Sequence, residues 1–317
     1  MKFFTVIISL LLLVSCDKKD TNKIRFYIST DSKIYEKIIK DFERETRLEV
    51  EIINENVDSA NILNNFTKED IADVFWVENP IKAEYLKINN LLEKFTPDIS
   101  KGIVKSFKDK DDSWIGFSAS TIVYICNVKN VQNDLLPDSI FDLLNTEYKG
   151  KIATVINDSI LLYFSSLSFK TGINKTKELL DNIVTISSFD VLKDKLNNGE
   201  FLCVLSTNNK YFSEFSKNEN MKMFIIDQKK GLGTQLVPNV VGLLKTSKNQ
   251  ENGKKLLRYL LSRETEITLC KSNGLIPLHK GVKTEKQAIE FDKLKYIKVD
   301  YSKIVENLDK IKALLQK

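Results

Sequence analysis

The residue types that carry most hydrolytic, redox and metal chemistry are scarce in this chain. Its 317 residues hold one histidine, His279, in the run GLIPLHKGV. With one imidazole in an apolar run, a histidine-based triad, a His-rich metal site and an HExxH helix are set aside. The four cysteines are Cys16, Cys126, Cys203 and Cys270, and none forms a CxxC pair. Neither a zinc knuckle nor a thioredoxin-type site is supported. Cys126, Cys203 and Cys270 lie among apolar residues and read as buried core thiols. At most one disulfide can join these three, and their wide separation gives no reason to expect it. The paired acids Asp111 and Asp112, in DKDD before Ser113, read as a solvated turn rather than a catalytic pair. What remains is binding chemistry: hydroxyls, amides, single carboxylates and tyrosines placed after apolar runs.

Composition agrees with a folded chain. Lys+Arg number 48 against 43 Asp+Glu, a formal charge of +5, and 42% of residues are hydrophobic. With only 11 Gly and 5 Pro, the chain is neither disordered nor collagen-like. Five excess positive charges diluted over this length are no nucleic-acid signature. The length suggests two compact domains or two lobes.

The N-terminus is the most informative segment. MKFFTVIISLLLLVSC has one lysine, then an apolar run from Phe3 to Val14, then Ser15 and Cys16. The run is shorter than the ~20 residues of a spanning helix and fits a signal-peptide core. Leu13-Val14-Ser15-Cys16 resembles the bacterial lipobox, which implies that Cys16 receives lipid and becomes the first mature residue. Residues 1–15 are then signal peptide and 16–22 a lipidated tether.

The elements that must position a site follow. Ile24 to Ser29 alternates like a strand, and Thr30-Asp31-Ser32 offers helix N-caps before Ile34, Ile38 and Phe42 at helical spacing. Leu48 to Ile53 reads as a strand, Asp58 to Phe66 as a helix, and Ala72 to Val77 as a strand before Pro80 at a helix start. This order predicts a parallel sheet with loops facing one crevice. Trp114 to Val128, Lys151 to Ile156, Phe201 to Leu205 and Val237 to Lys245 are further expected strands. Helices are expected at 138–144, 159–169, 175–183, 189–196, 250–261 and 264–270. A last one carries Ile304, Leu308, Ile311 and Leu315 in a docking stripe.

Several landmarks in this order resemble one family. They are Ala72-Asp73-Val74-Phe75-Trp76, Trp114-Ile115-Gly116-Phe117-Ser118, Tyr148-Lys149-Gly150-Lys151-Ile152, Asn198-Gly199-Glu200 and Asn273-Gly274-Leu275-Ile276-Pro277. The mature chain to about Val282 resembles the solute-binding proteins of ABC importers, in the ferric-ion-binding-like group. The resemblance implies an α/β, two-lobed periplasmic-binding-protein type II fold. Each lobe would be a sheet flanked by helices, joined by crossing hinge strands near Ser118–Tyr124 and Val237–Gly242. Lobe 1 would hold 23–117 plus 240–317, and lobe 2 118–239. It implies no catalysis, a monomer lipid-anchored on the extracytoplasmic face of a bacterial envelope, and a permease of the inner membrane as partner. Its solute is first expected to be ferric iron with an anion; the alternative is a phosphonate, a thiamine-like compound or a polyamine. An extracellular enzyme or a structural surface lipoprotein are the remote alternatives.

The same resemblance directs attention to certain loops. Ser29, Thr30 and Asp31 follow the first strand and are either caps or ligand contacts. Glu78 stands where ferric-binding relatives place a carboxylate, and a hard cation favours anionic oxygen. Ser118 and Ser120 lie at the first crossover and Asn239 at the second. Asp158 and Ser159 open a later helix, and Asn208, Asn209 and Tyr211 follow a strand. Relatives that bind iron directly carry adjacent tyrosines; here Phe212 accompanies Tyr211. Glu78 and Tyr211 are therefore the candidate metal ligands, with no resident cofactor expected.

Overall fold

A computed structural model of the chain describes residues 22–30, 33–55, 61–66, 71–129, 136–282 and 289–315. Cys16, the signal segment and Asp31 lie outside them. The first elements are β1 Lys23–Ser29, α1 Ile34–Thr46, β2 Glu49–Asn54, α2 Ile62–Phe66, β3 Val74–Val77, α3 Pro80–Ile88 and β4 Leu92–Glu93. The long β5 spans Ile115–Asn127. It is followed by β6 Ile152–Thr154, α4 Asp158–Thr171, α5 Ile173–Asp181, β7 Ile183–Thr185, α6 Phe189–Asn197 and β8 Cys203–Thr207. A helical turn α7, Asn208–Lys210, widens into a π turn over Tyr211–Phe215. Then come β9 Met221–Ile225, β10 Leu236–Leu244, α8 Gln250–Leu260, α9 Arg263–Asn273 and α10 Tyr301–Leu315.

The strands run in the order β2-β1-β3-β10-β5-β8-β6-β7, with β4 beside β10 and β9 beside β5. β1 is parallel to β2 and β3, and β6 is parallel to β7 and β8. Between these two parallel groups, β5 and β10 run antiparallel to each other. The first half of β5 pairs with β10 and the second half with β8 and β9. All 13 residues of β5 are buried. Burial on both faces leaves it without a clean alternation, and Ser118, Ser120 and Thr121 interrupt its apolar residues.

Helix ends show how side chains set the local geometry. At α3, Asn79 accepts from the Ile81 amide at 2.8 Å, and Pro80 occupies the first helical position, where no N–H is needed. At α1 the cap position falls on Lys33, without a side-chain bond; the expected caps Asp31 and Ser32 lie outside the described residues. At α4 the cap is Asn157, one residue before the expected pair. Its Oδ1 accepts from the Ser159 and Ile160 amides, so Asp158 and Ser159 sit inside the first turn.

One apolar cluster runs along a whole face of the sheet, from Tyr27 and Phe75 through Phe164 to Ile304 and Leu308. The expected C-terminal stripe docks: Ile304, Leu308 and Ile311 are buried, and α10 packs on both α3 and α4. On the opposite face, separate clusters form under α1, α8 and α9 and under α6.

The expectation of three free core thiols is corrected. Cys126 and Cys203 are disulfide-bonded across 77 residues, and only Cys270 is a free buried thiol among the described residues. The two stand opposite each other in the β5–β8 ladder, so sheet register brings together residues that sequence distance had separated. Burial and the nearby Glu266 charge hold the Cys270 thiol well above its usual range, so it is inert. The bridge closes a long loop in the unfolded chain. Replacing both bridging cysteines by alanine should lower unfolding stability by roughly 4 kcal/mol on loop-entropy grounds. Denaturant titration measures this. Two more titratable thiols in the unreduced wild-type protein would show that the bond is not made.

Candidate functional site

The crossing strands break their own register at one point. Pro238 pairs with Ala119 and Asn239 with Phe117, which leaves Ser118 as the extra residue of a bulge. Ser118 has φ +49°, a conformation that costs a non-glycine residue about 1 kcal/mol or more. Three contacts hold it. Its amide donates to Glu266 Oε1 at 3.0 Å, its hydroxyl accepts from Asn239 Nδ2 at 3.2 Å, and the next residue exchanges two backbone bonds with Ile276. Asn239 Oδ1 in turn accepts from the Trp76 indole at 3.1 Å. Ser118 and Asn239 are thus committed to the crossing itself.

Beside that crossing lies a small cleft of about 50 Å³. Thr30 and Glu78, after β1 and β3, line it from one side, and Ser159 and Asn209, from α4 and α7, line it from the other. Ser120, Asn239, Asn273 and the rim of Trp76 close the base, with Ile34, Val237, Leu269 and Leu275 as apolar walls. The Thr30 hydroxyl donates to the Glu78 carboxylate. Asn209 Oδ1 is enclosed without a protein partner. The lining is therefore a set of neutral hydroxyls and amides around one carboxylate.

Two residues that the sequence did not single out matter at the rim. Lys82 is 5% exposed on α3, with its ammonium 3.0 Å from Ser29 Oγ and 3.5 Å from Asp158 Oδ2. Asn79 Nδ2 donates to the Asp158 carbonyl at 2.9 Å. Together they tie the start of α3 to the start of α4. A lysine five residues past a strand looks like an exposed helix charge; the one available signal was its place in the first turn after Pro80.

The expected site residues therefore divide. Thr30, Glu78, Ser120, Ser159, Asn209 and Asn239 meet at the cleft. Ser29 and Asp158 stand just behind it, bound to Lys82. Asn208 is fully buried as a strut: its Oδ1 accepts from the Thr121 amide at 2.7 Å and its Nδ2 donates to the Gly274 carbonyl at 2.6 Å. Tyr211 is not among the residues lining the cleft. Its hydroxyl donates to the Met221 carbonyl at 3.2 Å and its ring packs in the cluster under α6. The expected pair of metal ligands, Glu78 and Tyr211, is thus not brought together. Phe212 covers Gly274, where a Cβ would meet the ring at 2.0 Å and φ is +64°. The π turn thus spends both aromatic side chains on packing. Tyr211→Phe should leave solute affinity within twofold and cost about 1 kcal/mol of stability through one lost hydrogen bond. Titration and denaturant unfolding read the two effects, and a tenfold loss of affinity would return Tyr211 to the site.

Comparison with known proteins places this geometry. The solved structure of iron-bound HitA from Pseudomonas aeruginosa superposes with a TM-score of 0.82 at 19% identity, covering 93% of this chain and 98% of that one. A ferric binding protein from Campylobacter jejuni gives 0.81 at 19% identity, over 92% and 98% of the two chains. At this identity the likeness establishes the fold: α/β, two-lobed, of the periplasmic-binding type. In sequence, a putative 2-aminoethylphosphonate-binding periplasmic protein of Salmonella typhimurium is 26% identical over 67% of this chain. The chain spans 64% of the length of that relative. Iron uptake protein A1 of Synechocystis is 23% identical over 92% of this chain and 88% of its own. The model of the bacterial extracellular solute-binding protein family matches residues 58–304, and the chain belongs to that family.

Proposed function

We propose that this protein is the capture receptor of an ABC importer. It takes up a small polar solute between two lobes and presents the closed form to a membrane permease. The observation that carries the reading is a cleft at the crossing of β5 and β10, lined by loops from both parallel strand groups. At about 50 Å³ it has room for little more than water, so a solute enters only when its walls part. A ligand then shifts the open–closed equilibrium through its greater affinity for the closed form. The lobes in this reading are 23–117 with 240–317, and 118–239, and the receptor acts as a monomer. No reaction is assigned to it.

A small organic solute is the first reading of the cargo, because the cleft offers neutral hydroxyls and amides around one carboxylate. The aminoethylphosphonate-binding relatives support it. Ferric ion carried with a chelating anion is the second, favoured by the hard Glu78 carboxylate in the cleft and by the iron-uptake relative. Residues 1–15 act as a signal peptide, and Cys16 carries the lipid that holds the receptor to the extracytoplasmic side of the membrane.

Adding 2-aminoethylphosphonate or ferric citrate to the purified protein tests the receptor reading. A bound solute should raise unfolding stability by about 2.7 kcal/mol at a hundredfold excess over Kd. It should also reduce the radius of gyration in solution scattering. With ferric citrate, binding should develop no phenolate-to-iron absorption band, because the Tyr211 hydroxyl is held elsewhere. Stabilisation by neither solute, with no compaction, would contradict the receptor reading. Separately, Cys16→Ala should abolish lipid labelling and release the protein from membranes; unchanged detergent partitioning would count against the anchor.

A further inference from the structure

We propose that a second cavity binds a small organic oxyanion, with Lys105 and Lys108 as its counter-ions and the enclosed Glu84 carboxyl as a hydrogen-bond donor to it. The cavity measures about 720 Å³ and lies between α3, the segment 100–114 that leads into β5, and the start of α10. That volume suits a small organic molecule. None of its lining residues lines the cleft at the crossing, so the proposal goes beyond the receptor reading and does not depend on it. Of the four lysines that line it, two are already paired: Lys87 with Asp109 and Asp111, and Lys110 with Asp300. Lys108 instead donates to the Ser100 carbonyl at 2.5 Å and the Ser100 hydroxyl at 2.9 Å, both neutral acceptors. Burial holds its ammonium below the usual range; Asp112 opposes that shift and the Lys280 charge adds to it. Lys105 is exposed at the same cavity and makes no salt bridge among the described residues.

Glu84, 3% exposed on α3, supplies an independent observation. Its Oε1 accepts from the Trp114 indole at 3.0 Å, and its Oε2 is enclosed without a partner among the described residues. Burial pushes this carboxyl up to about 7. The Lys87 charge and the Trp114 bond oppose the rise, while Asp109 and Asp300 add to it. At pH 7 the group is therefore about half protonated. Since Oε1 is already an acceptor, the proton sits on Oε2, and a buried O–H needs an acceptor of its own. With Glu84 neutral and Asp109 and Asp300 paired, Asp112 is the one lining acid left against Lys105 and Lys108. The wall is then positive, and its unsatisfied group is a donor. A metal ion or an ammonium would meet two lysines, and a neutral solute would take water from Lys108 with no charge in return. An oxyanion balances the ammonium groups and accepts from Glu84.

Calorimetry on the purified protein with metal-free citrate, ethane-1,2-disulfonate and glycerol tests this. Both anions should bind and the neutral control should not. Lys108→Met and Lys105→Met should each weaken both anions about tenfold, the loss of one close counter-charge. Lys105 is exposed, so its variant reports on the site even where Lys108→Met disturbs folding. The disulfonate keeps its charge between pH 8 and pH 6, so any pH dependence of its binding belongs to the protein. Its affinity should rise as the pH falls, by at most about tenfold for one group titrating near 7. Glu84→Gln keeps a donor but cannot titrate; it should stay within about threefold of wild type at pH 6 and lose most of that rise. Failure of either anion to bind, equal binding of glycerol, or a wild-type profile that is flat or falls toward pH 6 overturns the inference. Anion binding that survives both lysine variants is adventitious or lies in the cleft; it also overturns the inference and leaves the receptor reading standing.

Discussion

The carboxylate of Glu266 is the contact on which the crossing depends. It is fully buried on α9 and takes four donors: the amides of Ser118, Leu278 and His279, and His279 Nδ1 at 2.8 Å. Since a carboxylate only accepts there, the imidazole carries its proton on Nδ1. A buried charge is tolerable when several N–H groups point at it, and it then fixes their geometry tightly. Here those donors belong to two distant segments, the bulge of β5 and the loop after α9. The strained φ of Ser118 persists because this carboxylate and the Ile276 ladder over-determine it. The lone histidine supplies two of the four contacts, its amide and its ring nitrogen.

From that point the cleft assembles in layers. The bulge turns Asn239 toward Ser118 and Trp76, so one amide links three strands and the floor of the cleft is set. Asn208 ties β5 to the end of α9 through Gly274. Above the floor, the walls are the first turns and loops that follow β1, β3, β6 and β8. Lys82 and Asn79 bridge the walls at Asp158, and their bonds cross the line along which the lobes would part.

Away from the cleft, stability comes from conventional sources. The apolar cluster shared by both parallel groups is capped by α10, which rests on α3 and α4 at once and so spans the two sides behind the cleft. The Cys126–Cys203 bridge stitches β5 to β8, in keeping with an oxidising extracytoplasmic setting. Behind the cleft the two sides are thus joined by the crossing strands and by α10.

Much of this was legible in the residues. Apolar periodicity located β1, α1, β3, β5, β8, β10 and the docking stripe of α10, because burial imposes periods of two or 3.6 on any chain. The ordered landmarks implied the two-lobed fold, and six of the loop residues they indicated do meet at the cleft. The short β4, β7 and β9 were not legible: β4 and β7, at two and three residues, carry too little pattern, and β9 is an edge strand with most of its residues exposed or half-buried. Nor were the choices that depend on what lies opposite in space. Cys126 faces Cys203 because of ladder register, Lys82 is buried because α4 begins beside it, and Tyr211 turns away because a π turn directs its hydroxyl to Met221. Sequence alone determined which segments had to be buried and which loops end at strand tips, since those follow from local solvation and chain geometry. Only the tertiary structure decided which polar groups are spent on one another and which face the cleft, because a hydrogen bond or ion pair is settled by distance across the fold.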